Sequence, residues 1–256
     1  MINLIKAELF KLKRNHTFWV LIGVVAFVYA LANYLVIIDW WQMNNTVFLN
    51  VGLKEYNAME MMKLPLVFNL IISTFAAFFI NADYATGTVK NQVLSGNKRR
   101  HIYLAKLIVF SLGSIVTAVM LPVITAISET LLLGYSEIYT SVTVVYLLRA
   151  FSLYTFIIIA YSSIVMLIAS LAKESGKTII ITVMGTIILY IIEMGFVHKY
   201  EIVRIIYQNS IFYQIYEAFR PVITFNEIGK NLLISVSTFI IMAYCGTMIF
   251  RRLEIK

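Results

Sequence analysis

A chain of 256 residues that is 61% hydrophobic and only 13% charged, with a mean hydropathy of +0.84, carries more apolar surface than a water-soluble fold of its size can conceal; soluble domains run near half apolar and about a quarter charged. The net charge of +8 is scattered between apolar runs, not gathered on a polar scaffold, which excludes nucleic-acid binding and points to membrane topology. A single cysteine, Cys245, excludes a disulfide framework or a CxxC metal site within the chain, and its place in an apolar run makes it a packing residue.

Residues 1–16 place Ile2, Ile5, Leu9 and Leu12 at spacings of three and four, with Lys6, Lys13 and Glu8 elsewhere on the wheel, which predicts an amphipathic helix lying on the inner membrane surface. The apolar run after Arg14 is long enough to span the bilayer, so it reads as a retained first span and not as a cleaved signal. Six stretches reach the roughly 20 apolar residues that a span requires: Thr17 to Ile38, Leu64 to Ala82, Ile102 to Ile127, Ala150 to Ala172, Thr178 to Val197 and Asn231 to Phe250. The expectation is an all-α integral membrane protein, a single transmembrane domain over residues 1–256 with six transmembrane helices. With the N-terminus inside, the inner segments hold 13 Lys and Arg and the outer ones six, which places both termini in the cytoplasm. Trp40 and Trp41 after the first span, and Tyr135, Tyr139 and Tyr146 before the fourth, mark the outer interface.

Between the second and third spans, on the inner side, residues 83–101 form a basic loop. Val89, Val93 and Leu94 recur there at helical spacing, and Gly96 with Asn97 supplies a stop, which predicts a short helix parallel to the membrane. Asp83, Gly87, Thr88, Lys90, Leu94, Ser95 and Arg99, with Lys106 early in the third span, resemble the first cytoplasmic loop of the type 2 ABC transporter permeases. Asp83 stands where glutamate is commoner, and Gly96 follows Ser95 one place early. The basic amphipathic start, the six spans and the long outer segment extend the resemblance over essentially the whole chain.

In that family the loop is a coupling helix that fits a groove on a separate cytoplasmic ATPase. The resemblance therefore implies a coupling role for Asp83, Tyr84, Gly87, Thr88, Lys90, Asn91, Leu94, Arg99 and Arg100. Gly87 would permit a tight entry, Thr88 would cap the helix, and Lys90, Arg99 and Arg100 would face the partner or lipid headgroups. It also implies the permease subunit of an ATP-driven exporter, multi-pass in a bacterial cytoplasmic membrane. Such a subunit pairs with a second permease, as a homodimer or heterodimer, and with ABC ATPase subunits. ATP and magnesium belong to those partners; the chain itself is expected to need no cofactor and to be no enzyme. Small bacterial members of similar size serve export of, or immunity to, antimicrobial peptides, so the implied cargo is an amphipathic peptide or another lipophilic compound. The competing expectation is an ATP-independent secondary transporter or channel that works through Glu193.

The remaining features divide between chemistry and packing. Glu193 is an acid well inside a predicted apolar run, and such residues are costly unless they serve a pathway or reach the interface. Asn69 and Ser73 on the second span, and Thr182 and Thr186 on the fifth, either line a substrate route or bond neighbouring helices. The outer segment 198–230 is repeatedly apolar (Ile202, Ile205, Ile206, Phe212, Ile215) and reads either as an interfacial or re-entrant helix pair broken near Pro221 or as a plain amphipathic loop. Met59, Met61 and Met62 read as adaptable packing and not as a soft-metal site. Gly176-Lys177-Thr178 lacks the earlier glycine of a phosphate-binding loop, and neither an HExxH nor a GxSxG motif is present.

Overall fold

The computed structural model describes residues 1–38, 40, 65–120, 123–124 and 141–253, and among these every regular element is a helix. Helix α1, Ile2–Arg14, is followed by α2, His16–Ile37, after a 59° bend. The bend falls at Asn15, whose backbone leaves the helical region and whose Oδ1 accepts from Phe18 N at 3.2 Å, so one chain break ends α1 and starts α2. Helix α3, Pro65–Ala76, passes through a π-turn, Ala77–Asn81, into the single turn α4, Ala82–Ala85; the axis then swings by 58° into α5, Thr88–Leu94. Helix α6, Arg99–Ile115, also ends in a π-turn, Val116–Met120. After it come α7, Ser141–Ala172, α8, Ser175–Gly195, the short α9, Glu201–Gln208, and α10, Ile211–Ala218, and finally α11, Phe225–Arg252.

Among the described residues four segments are long and apolar enough to cross a membrane: Arg99–Met120, Val144–Ala172, Ser175–Gly195 and Phe225–Arg252. The two bent pairs, α1 with α2 and α3–α4 with α5, raise the count to as many as six.

Helix α7 is apolar over most of its surface, which suits either a bundle centre or a lipid-facing span, and its contacts place it at the centre. It packs against α3, α6, α8, α10 and α11, and its Ala150, Ala160, Ser162, Ser163 and Ala169 let those neighbours approach closely. Side chains also seat on glycine: a Cβ at Gly113 of α6 would lie 2.4 Å from the Phe75 ring, and one at Gly246 of α11 would lie 2.0 Å from the Tyr103 hydroxyl. Helix α11 opens with a capping box, Thr224 Oγ1 accepting from Glu227 N at 3.3 Å while Glu227 Oε2 accepts from Thr224 N at 2.7 Å. It closes on Arg251 and Arg252, the sign that a helix C-terminus favours.

Three contacts fix which ends share a pole. Lys11 Nζ donates to Phe79 O at 3.1 Å, Ser175 Oγ to Ala77 O at 2.8 Å, and Arg99 Nη1 to Arg251 O at 3.0 Å and Leu253 O at 2.7 Å. They gather α1, the end of α3, the starts of α6 and α8, and the end of α11 beside α5. At the opposite pole Tyr146 Oη donates to Phe219 O at 2.9 Å, and Arg149 Nη1 to Pro221 O at 3.3 Å.

Several boundaries differ from the sequence expectation. Helix α7 starts at Ser141, not Ala150, because Arg149 finds carbonyl acceptors at residues 220 and 221 instead of requiring a span end. Helix α11 starts at Phe225, six residues before the expected Asn231, since the capping box sets it. Segment 198–230 contains a helix pair, but its break lies at Asn209 and Ser210, where Ser210 Oγ caps α10 through Tyr213 N; Pro221 lies in the turn before α11. Trp41, Met59, Met61, Met62, Tyr135 and Tyr139 fall outside the described residues.

Candidate functional site

Where α1, α4, α5 and α6 meet, four charged side chains come together, three of them almost wholly buried. Lys106 of α6, 1% exposed, donates to Glu8 Oε1 of α1 at 2.6 Å and to Asp83 Oδ2 of α4. Lys11 donates to the same Asp83 oxygen at 2.5 Å, lies 3.5 Å from Glu8 Oε2, and sits 4.3 Å above the Phe79 ring. Gln92 of α5 donates to Glu8 Oε1 at 2.9 Å. Two carboxylates against two ammonium groups balance, the condition under which charges persist away from water. Burial alone would raise the Glu8 carboxyl, but Lys106 and Lys11 outweigh it and hold it below its ordinary value. Burial, then the neighbouring Lys106, lowers the Lys11 ammonium, against the pull of Asp83 and Glu8. Through Gln92, α5 is tied to the same Glu8 carboxylate that Lys106 of α6 holds.

Glu8 and Lys11 were not among the residues that the sequence nominated. Glu8 stands on the buried face, 2% exposed, not on the polar side of the wheel. The signal was present: Leu4, Ile5, Leu9 and Leu12 flank it on one stripe, and Lys106 inside an apolar span requires a carboxylate partner.

The nominated loop residues separate into two sets. Lys90, Asn91, Leu94 and Arg100 are exposed, Leu94 at 75%. Asp83 is 3% exposed and spent on the charge cluster, and Tyr84 is half-buried against the core. Arg99 binds the carbonyls that end α11, so its guanidinium is directed to the chain's own C-terminal helix and not outward. Thr88 does not cap α5: the cap position is Gly87, in the left-handed region at φ 68°, and Thr88 Oγ1 instead pairs with Thr86 Oγ1 at 2.8 Å. Gly96, at φ 80°, ends the helix as the sequence indicated. A Cβ at Gly87 would meet nothing within 4 Å, so Gly87→Ala carries backbone strain alone. It should cost about 1–2 kcal/mol, while Gly87→Asn, which tolerates this region better, costs less; thermal unfolding in detergent checks the order.

The polar residues nominated for a pathway form a seam inside the chain. Asn69 is fully buried, donates to Thr186 Oγ1 at 2.8 Å and accepts from Tyr161 Oη at 2.6 Å. Thr182 and Thr186 return their hydroxyls to carbonyls one turn back, Ser73 Oγ reaches Leu70 O at 3.4 Å, and Asn81 Nδ2 donates to Thr178 Oγ1 at 2.5 Å. Their hydrogen bonds join α3 to α7 and α8. Glu193 lies half-buried near the other end of α8, beside Tyr190 and Tyr207, at a void of about 10 Å³. Burial, then the adjacent Glu193, holds the Tyr207 phenol above its ordinary range. Separately, an apolar groove of about 610 Å³ opens between α7 and the π-turn Val116–Met120 with residues 123–124, lined by Met120, Val123, Leu147, Leu148 and Phe151, with Ser152 and Thr155 as its polar edge.

Gly176-Lys177-Thr178 is the first turn of α8, where Lys177 pairs with Glu174 at 2.8 Å and Thr178 is buried, so these residues do not form a phosphate loop.

A bundle of long apolar helices around a central one, with a short helix hung at one pole from a buried charge cluster, defines a multi-pass membrane protein. The sequence profile described as ABC-2 family transporter protein matches residues 4–189, from α1 through most of α8, and the chain belongs to that family. Its members are transport subunits that generally pair with separate ATPase subunits. Comparisons with curated proteins and with solved structures found no match.

Proposed function

We propose that the chain is the permease subunit of an ATP-driven exporter, with α5 as the coupling helix against a cytoplasmic ABC ATPase and a second permease completing the pathway. The observation that carries this reading is the division of α5 into two faces. Val89 and Gln92 face the bundle, Gln92 bonded to Glu8, while Lys90, Asn91 and Leu94 face away from it. An exposed leucine beside a lysine, on a short helix anchored beneath apolar spans, suits a groove on a soluble partner. In this reading that pole is cytoplasmic, in line with the Lys and Arg bias, and ATP with magnesium is held by the ATPase. The outward face of α8, with Ile180, Ile181, Met184, Ile188 and Ile191 exposed, supports contact with the second permease. The apolar groove between α7 and the π-turn Val116–Met120 supports a lipophilic cargo or an amphipathic peptide.

The experiment is co-purification. Lys90→Glu, Leu94→Asp and Arg100→Glu together should reduce the ATPase retained by the tagged chain about tenfold or more with unchanged thermal stability, since all three side chains are exposed. Full retention of the ATPase would remove α5 from the interface.

A further inference from the structure

The π-turn Ala77–Asn81 sits between the proposed coupling segment and the body of α3. A π-turn inserts one residue and displaces carbonyls from the regular helical ladder, and such turns recur at functional sites. Here two carbonyls of the turn accept from side chains of other elements: Phe79 O from Lys11 Nζ of α1 at 3.1 Å, and Ala77 O from Ser175 Oγ, the first residue of α8, at 2.8 Å. At its last residue, Asn81 Nδ2 donates to Thr178 Oγ1 at 2.5 Å, and Thr178 donates in turn to Glu174 O at 2.9 Å. Asn81 and Thr178 are both buried. Helix α8 is further constrained on its other side, because α7 hands over to it through only Lys173 and Glu174, and Lys173 is held in the left-handed region at φ 56°.

We infer that Asn81, Ser175 and Thr178 are positioning residues that latch the first turn of α8 to the π-turn of α3, so that displacement of the α5 loop moves α8 as well as α3. This rests on α5 being the segment that receives force. Without the latch, α3 and α8 lose the link nearest α5 and stay joined by the bond from Asn69 to Thr186, further from the loop. With it, α8, whose Ile180, Ile181, Met184, Ile188 and Ile191 are exposed, moves too, and the two walls of the polar seam, Asn69 on one side and Thr182 and Thr186 on the other, travel together.

The test is hydrogen exchange of the full-length protein in lipid nanodiscs, using Gly87→Ala as a local disturbance of the loop. In the otherwise native chain, Gly87→Ala should speed exchange both in residues 88–94 and in residues 175–182, the latter about threefold or more. In a Ser175→Ala, Thr178→Val background the response at 88–94 should persist and that at 175–182 should vanish. A Ser175→Thr, Thr178→Ser background, which keeps both hydroxyls, should restore it. Asn81→Leu serves as the independent latch variant where the double one does not accumulate, with the same expected loss. An unaltered response at 175–182 in the latch variants, or none there in the otherwise native chain, overturns the inference. No ATPase enters this measurement, so its outcome is separate from whether α5 binds one.

Discussion

Replacing Lys106 with methionine should lower stability by about 3–5 kcal/mol. Lys106 is the ammonium shared by Glu8 and Asp83, and its removal leaves two carboxylates, 2% and 3% exposed, with Lys11 alone between them. The methionine fills most of the volume, so the cost is electrostatic and not a cavity. That distinguishes it from an ordinary core defect through a second substitution. Asp83→Asn with Lys106→Met leaves Glu8 and Lys11 as a balanced pair, and this double variant should be more stable than Lys106→Met alone, a non-additivity that only a shared charge network produces. Thermal unfolding of the purified proteins in one detergent measures all three. A double variant that loses the sum of the two single losses would show that the charges act independently.

Gly246→Ala should cost about 1–3 kcal/mol by a different mechanism. The added carbon would lie 2.0 Å from the Tyr103 hydroxyl, 2.2 Å from its Cζ and 2.7 Å from its Cε1, and Tyr103 is fully buried with its ring 5.7 Å from that of Phe250. The ring is fully buried, so either it is displaced against its neighbours or α6 and α11 part. Removing only the hydroxyl does not help, because Cζ remains in the way; Tyr103→Phe should leave the Gly246→Ala defect in place. Tyr103→Leu, which removes the ring, should recover a substantial part of it. Equal rescue by Phe and Leu would place the clash elsewhere.

How far the sequence could be read depends on the kind of signal. Apolar runs of span length survive translation into structure because hydrocarbon permits no unpaired backbone, and four of the described helices follow them directly. The short helix Thr88–Leu94 and its stop at Gly96 were legible from spacing and glycine. The cap was not: Thr88 carries the side chain a cap needs, yet Gly87 occupies the position because the chain bends there through positive φ. Ends of long helices were misplaced where a polar side chain finds a distant acceptor, as Arg149 does. The π-turns have no sequence signature, so the bonds from Lys11 and Ser175 to their carbonyls were invisible. Most of the charge cluster was hidden for a related reason. Glu8, Lys11 and Asp83 each look like surface residues one at a time, and only Lys106, set in an apolar run, signals that partners must exist.

Helix α5 is tied to α1 through Gln92 and leaves Lys90, Asn91 and Leu94 exposed, and on this account that exposed face is where an ATPase pushes. Cys245 is the single native cysteine, so Cys245→Ser with Leu94→Cys leaves one thiol, on the most exposed apolar position of α5. Treated with a short bifunctional thiol reagent in native membranes, that variant should cross-link to its ATPase partner, whereas a thiol placed at Ile202, exposed on α9 at the other pole, should not. Cross-linking from position 202 and none from position 94 would contradict the account.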